Sequence, residues 1–256
     1  ILWCQLFSEP GAGSDLAGLQ SSAIIDGDYF VLNGQKVWSS NAQFAQFGIL
    51  MARTNFKASK HKGISFFLLD MKLPGIDVRP LKQMTGDHEF CEVFFDDVLM
   101  PRNALLGELH GGWSVAMAVL EDERSGAGSA DVISLSRRLQ SMTNNAKGTD
   151  SLTRQSLTSL LSRGRSLQSL LEERGSDPMM APIAKLLNTE IGYDEAQIES
   201  RMRGPLSMLD GDATDRLLYS PGMRIAGGSS EIQKNIIGER ILGLPREPQI
   251  STSPEA

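Results

Sequence analysis

Phe7-Ser8-Glu9-Pro10-Gly11-Ala12-Gly13-Ser14-Asp15 stands near the start of the chain, and Asn33-Gly34-Gln35-Lys36-Val37-Trp38-Ser39-Ser40-Asn41 follows it. The first stretch is a tight turn. Pro10 fixes one backbone dihedral, and Gly11 and Gly13 permit conformations closed to other residues. The apolar run Ile1 to Phe7 leads into it as a strand. Tyr29-Phe30-Val31-Leu32 leads into the second stretch, where Asn33-Gly34 is a strong hairpin signal. Both stretches therefore belong to a β-rich region.

That region extends to about residue 105. Ser21 to Ile25 is a strand turning at Asp26-Gly27-Asp28, and Phe47 to Arg53, Gly63 to Leu69 and Cys91 to Val98 are apolar runs of strand length. The polar segment Thr54 to Lys62, with three lysines, reads as a solvated hairpin tip. After Gly111-Gly112 the period changes to that of helices. Trp113, Ala116, Met117, Leu120 and Ala127 mark one from 113 to 130. Leucines at 152, 157, 160, 161, 167, 170 and 171 mark another from Ser151 to Arg174, with Gly175 as its C-cap and Gly164 a point for a kink. Asp177-Pro178 opens a third running to Arg203, and Ser230 to Leu242 is a last short one before a polar tail. Strands first and helices after indicate an α+β chain rather than a doubly wound sheet. No Gly-x-Gly-x-x-Gly follows a strand, which disfavours a Rossmann dinucleotide site.

A chain of 256 residues holds one or two domains. Its net charge of −6 gives no reason to expect nucleic acid, and no apolar run has the length of a membrane span. Two cysteines, Cys4 and Cys91, make no disulfide framework, and three scattered histidines make no metal site, so a reduced cytoplasmic setting is the default. Ile1 stands in place of a start methionine, and the first strand lacks the basic region of a signal peptide, so the chain is expected to be the C-terminal part of a longer protein.

The two opening stretches, at their separation, resemble the middle domain of the acyl-CoA dehydrogenase family of flavoenzymes. The resemblance implies a β-barrel-like middle domain at 1–108, a C-terminal four-helix bundle at 109–248, a polar tail at 249–256 and an N-terminal helical domain outside these residues. It implies FAD as cofactor and an acyl-CoA as substrate. A base takes the α-proton, the flavin takes a β-hydride, and electrons pass to an electron-transfer flavoprotein, as in fatty acid β-oxidation. Ser8 matches the hydroxyl residue at the flavin edge, Ser14 the serine near the flavin phosphate and substrate pantetheine, Trp38 the tryptophan on the flavin ring, and Ser40 the adjacent hydroxyl donor. Gly228 and Ser229 match the segment whose N–H groups meet the cofactor at a helix start. A homo- or hetero-oligomer is expected, without nucleic acid and without a membrane span.

Many members carry the base in a Tyr-Glu-Gly-Thr-Ser segment. Aligning Gly228-Ser229-Ser230 with Gly-Thr-Ser places Gly227 where that glutamate would stand, and glycine takes no proton. Members resembling isovaleryl- and long-chain acyl-CoA dehydrogenases carry it instead in Leu-x-x-Glu-Arg. Here Leu120-Glu121-Asp122-Glu123-Arg124 selects Glu123 as catalytic base, with Arg124 assigned to the substrate. On a helix, Glu123 neighbours Val119, Gly126 and Ala127, small or apolar groups expected to raise a carboxylate pKa. Two family segments are missing. Arg-x-x-Phe-Gly is absent, and Leu209-Asp210-Gly211-Asp212-Ala213 stands in place of Gly-Gly-x-Gly-Tyr. That leaves open a non-catalytic partner subunit of a hetero-oligomer, resembling bacterial enzymes of bulky substrates such as steroid side chains, and an acyl-CoA oxidase.

Overall fold

The computed structural model describes residues 1–126, 129–174, 177 and 179–246, without the side chains of 124–126 and 129–132. The chain divides into two compact units, Ile1–Asp122 and Glu123–Ala256, and helix α1 (Gly112–Gly126) contains the division. The order of elements is the expected one, strands and then helices, and the class is α+β.

In the first unit the strands are β1 (Trp3–Leu6), β2 (Ser22–Asp26), β3 (Tyr29–Ser40), β4 (Phe47–Arg53), β5 (Ile64–Asp70), β6 (Ile76–Pro80), β7 (Phe90–Pro101) and β8 (Leu105–Leu106). They form an eight-stranded sheet in the order β6-β7-β3-β2-β4-β5-β8, with β1 parallel to β4. One face buries Leu6, Phe30, Leu32, Leu50, Phe67, Val98 and Met100. Phe30 and Phe67 meet edge to face at 5.0 Å. The other face buries Phe7, Leu19, Met51, Ile64 and Phe66 against Ala116 of α1. Apolar neighbours such as Leu50-Met51 and Phe66-Phe67 thus point to opposite faces, both covered, which is why β4 and β5 lack polar alternation.

The turn between β2 and β3 is at Asp26-Gly27-Asp28-Tyr29, as expected, with Asp26 facing Tyr29. Asn33-Gly34 is not a turn. It lies inside β3, where pairing with β7 shifts register between Leu32 and Gly34. The Asn33 side chain donates to Asp97 Oδ1 at 2.9 Å and accepts from Asp97 N at 2.9 Å, so the dipeptide fastens a bulge across two long strands. Gly34 has φ +139°, and a Cβ there would stand 2.7 Å from the Ser21 Cα. Gly34→Ala is expected to cost about 3 kcal/mol, seen as a lower urea midpoint with an unchanged m-value.

In the second unit α2 (Ser129–Asn144), α3 (Ser151–Arg174) and α4 (Met180–Arg203) pack around Leu135, Leu139, Leu157, Leu160, Leu167, Ala184, Ile191 and Ile198. The helix expected over 113–130 is instead α1 and the start of α2, with 127–128 outside the described residues. The α3 helix has its expected bounds, and Asp150 Oδ1 caps it by accepting from Leu152 N and Thr153 N at 2.9 and 3.0 Å. Gly164 does not break it. A Cβ at 164 would lie 2.7 Å from Leu139 Cδ1, so this glycine lets α2 and α3 approach. The Gly175 cap and Pro178 lie outside the described residues.

Helix α5 (Asp212–Met223) goes beyond the sequence expectations and carries Pro221 inside it, where proline ordinarily breaks a helix. The helix survives because Ser220 Oγ donates to Leu217 O at 3.1 Å, serving the carbonyl that proline leaves without an N–H. The chain ends its described course in α6 (Ser230–Ile236) and a π turn at Ile237–Ile241. Among the described residues no helix is long and apolar enough to cross a membrane.

Candidate active site

A buried ion pair builds the opening loop of the first unit. Lys36, on β3 and 0% exposed, donates from Nζ to Phe7 O at 3.0 Å and to Glu9 Oε1 at 2.8 Å. Glu9 also accepts from Gln20 N at 2.6 Å and Ser21 N at 2.9 Å. Burial acts to raise the Glu9 pKa, yet the Lys36 charge and these hydrogen bonds together carry it below 4.5. Burial pushes the Lys36 ammonium down to about 8 against the pull of Glu9. Glu9 and Ala12 exchange two backbone hydrogen bonds of 3.0 Å, closing the turn over Pro10-Gly11. Val37 N donates to Ser8 O at 2.9 Å. The Phe7–Asp15 loop is thus sewn to the strand that carries the second stretch. Sequence reasoning passed over Lys36 and Glu9. The signal was one lysine among the apolar alternation of β3, opposite a glutamate inside a glycine turn.

Two residues beyond Lys36 the chain is bent. Register with β7 shifts again between Lys36 and Ser39, Trp38 has φ +60° and Asn41 φ +56°. A left-handed conformation is uncommon outside glycine and costs backbone energy. Its effect is to turn Trp38 outward, 62% exposed, in a T-shaped contact with Phe90 at 5.9 Å. Ser40 is exposed and Ser8 half-buried. The Ser39 hydroxyl is buried and has no hydrogen-bond partner among the described residues. An exposed indole followed in sequence by two hydroxyl residues, Ser39 and Ser40, suits a flat heteroaromatic ring with a hydrogen-bonding edge, and these residue types fit the ring of FAD. Ser8, Trp38 and Ser40 share this framework. Ser14 is exposed beyond the turn, next to Asp15, which pairs with Lys60.

The remaining expected residues lie in the second unit. Glu123 opens it, and Glu121, Asp122 and Glu123 are all exposed. The low-polarity setting expected for Glu123 is therefore not formed by the described residues, and Ala127 and the Arg124 side chain lie outside them. Gly227 and Gly228 have φ +64° and +97°. Their carbonyls are clamped. Gln233 Nε2 donates to Gly227 O at 2.9 Å, and Lys185 Nζ donates to Gly228 O at 2.6 Å. Burial draws the Lys185 pKa below 10.5. Ser229 caps α6 by accepting from Ile232 N at 3.4 Å, and Ser230 Oγ donates to Glu190 Oε1 at 2.7 Å, which also accepts from Arg224. Ser229 thus has a capping role that any use toward a cofactor would share.

Comparison with known proteins gives the family of this fold. Residues 4–98 match the family model of the acyl-CoA dehydrogenase middle domain, and residues 110–242 that of the acyl-CoA dehydrogenase C-terminal domain. The acyl-CoA dehydrogenase IpdE1 of Mycobacterium tuberculosis is 40% identical over 96% of this chain, which spans 68% of that relative. The acyl-CoA dehydrogenase FadE34 of the same organism is 37% identical over 96% of this chain, which spans 36% of it. Among solved structures, the ChsE4–ChsE5 complex from Mycobacterium tuberculosis superposes with TM-score 0.82 at 29% identity, covering 96% of this chain and 70% of that one.

Proposed function

Because the chain belongs to the acyl-CoA dehydrogenase family of oxidoreductases, we propose that it carries out FAD-dependent α,β-dehydrogenation of an acyl-CoA thioester. FAD, when bound, accepts the hydride from the β-carbon. Glu123 takes the α-proton as general base. Trp38 lies against the flavin ring, and the hydroxyls of Ser8 and Ser40 hydrogen-bond its edge, where electron density rises on reduction. Gly228 and Ser229 complete the cofactor contacts. Ser14 and Arg124 bind the acyl-CoA. Electrons leave to an electron-transfer flavoprotein, and the two free, buried cysteines suit a reduced, cytoplasmic setting. In this reading 1–108 is the middle β-domain and 109–248 the helical bundle.

The observation that carries the reading is Trp38, an indole turned to the surface by a costly backbone conformation. Trp38→Ala is expected to leave folding stability within about 0.5 kcal/mol, since the ring is mostly exposed. FAD affinity should fall about tenfold or more for loss of one stacking face. Flavin titration by fluorescence quenching checks this, and unchanged affinity counts against the site. The reaction itself is tested by anaerobic addition of acyl-CoAs, which should bleach the flavin.

A second reading draws on the likeness to the ChsE4–ChsE5 complex and on Leu209 to Ala213, where Asp210 and Asp212 flank Gly211 at the start of α5. In it the chain is a subunit whose cofactor site needs a paralogous partner. Full FAD occupancy of the protein purified alone would set that reading aside.

A further inference from the structure

Two side chains reach into the turn before α6 and take hold of backbone rather than of other side chains. Lys185, half-buried on α4, donates from Nζ to Gly228 O at 2.6 Å and to Arg224 O at 3.4 Å. Gln233, 0% exposed on α6, donates from Nε2 to Gly227 O at 2.9 Å. A Cβ at Gly228 would stand 2.7 Å from that Nε2, so the contact needs glycine there. The anchor is itself braced. Ser230 N donates to the same Arg224 O at 3.1 Å, and the Arg224 side chain donates to Glu190, further along α4, at 2.9 Å. Helices α4 and α6 and the turn between α5 and α6 thus meet at one ammonium group.

The clamped carbonyls belong to particular peptide units. The peptide whose oxygen faces Lys185 has its N–H on Ser229, and the peptide whose oxygen faces Gln233 has its N–H on Gly228. The Ser229 N–H has no acceptor among the described residues. A cation on a carbonyl oxygen draws electron density across the planar, conjugated amide and leaves its N–H a stronger donor. A charge-assisted bond is also about twice as strong as a neutral one, so it fixes the direction in which that N–H points. The Lys185 ammonium is directed at carbonyls although two carboxylates, Glu190 and Glu231, lie near enough to act on its charge.

We propose that Lys185 is a positioning residue for the cofactor: through Gly228 O it orients and polarises the peptide whose N–H, on Ser229, meets FAD. Gln233 is its neutral counterpart on the preceding peptide. The inference rests on the cofactor reading above, which assigns Gly228 and Ser229 to FAD, and adds a residue that acts through a peptide rather than on the cofactor directly.

The test titrates FAD into the full-length protein by fluorescence quenching, with the variants Lys185→Met and Lys185→Arg. Loss of the charge in Lys185→Met should raise the Kd for FAD about tenfold or more, the scale of one charge-assisted hydrogen bond. Lys185→Arg keeps a cation within reach of the carbonyl and should bind within about threefold of the unaltered protein. The pH profile separates this role from packing. Burial draws the Lys185 pKa below 10.5, whereas a guanidinium at that position stays charged. The other charges that act on Lys185 are Glu190, Arg224 and Glu231, with Lys234 facing Glu190, and they are common to both proteins. FAD affinity should therefore fall at a lower pH in the unaltered protein than in Lys185→Arg. Unchanged affinity in Lys185→Met overturns the proposal. So does an Arg variant as weak as the Met one, or the same pH profile in the unaltered protein and Lys185→Arg. If Lys185→Met does not fold, the pH comparison decides alone. An unaltered protein that takes up no FAD, alone or with a paralogous partner, fails the cofactor reading itself, a result distinct from binding that ignores Lys185.

Discussion

Glu123→Gln is expected to leave FAD bound and to remove its reduction by acyl-CoA, slowing the half-reaction by about a thousandfold or more. The substitution keeps shape and hydrogen-bonding reach but removes the site that takes a proton, and a positioned general base contributes roughly 10²–10⁴ in rate. The other position that family resemblance offers is Gly227. It has φ +64° and no side chain, and only Lys185 Cε approaches the place of its Cβ, at 4.0 Å. It supplies no carboxylate. Glu121 is the control, since it is exposed on the same turn of α1, and Glu121→Gln should bleach at the normal rate. Stopped-flow absorbance of the flavin band reads both variants. A Glu123→Gln protein that still bleaches would move the base elsewhere, and one that loses FAD would make Glu123 a structural residue.

What could be read from residue patterns and what could not divide along a physical line. Strong, local periodicity was legible. The leucines of Ser151–Arg174 mark α3 to its ends, and Asp26-Gly27-Asp28 marks the β2–β3 turn. Where a local signal meets a distant partner, the partner decides. Asn33-Gly34 has the composition of a hairpin, but Asp97 on β7 engages the Asn33 side chain and converts it into a bulge. Pro221 has the composition of a helix break, but Ser220 repairs the ladder. The lysine loop has the composition of a solvated tip, but Arg53 holds it down. In the candidate site, the exposed residues Trp38, Ser40 and Ser14 were found through the resemblance. The ion pair beneath them was not, because nothing local to Lys36 announces that Glu9, 27 residues earlier, will meet it.

That pair sets the second large effect. Lys36→Met is expected to destabilise the protein by about 3–5 kcal/mol, the range for stripping one partner from a buried ion pair and leaving the other charge uncompensated. Glu9 would keep Gln20 N and Ser21 N but lose its counter-charge, and Phe7 O would lose its donor. Lys36→Met/Glu9→Gln should recover part of that loss, since no buried charge remains, while the single amide oxygen keeps one of the two backbone N–H groups that meet separate Glu9 oxygens. Urea unfolding followed by circular dichroism, run as a double-mutant cycle, reads the coupling. Additive losses would mean the pair is incidental. The pH dependence follows with its sign. The folded Glu9 pKa lies below 4.5, so its contribution is complete above that value and is lost as pH falls through the folded pKa. For Lys36 the folded pKa of about 8 lies below 10.5, so between these values the unfolded chain holds the extra proton and rising pH favours the fold. The melting temperature should therefore drop below about pH 4.5, and the drop should be shallower in the double variant. FAD retention should follow the same order, because Ser8 O accepts from Val37 N, the residue beside Lys36, and a loop released by the broken pair no longer holds Ser8 against the strand that carries Trp38.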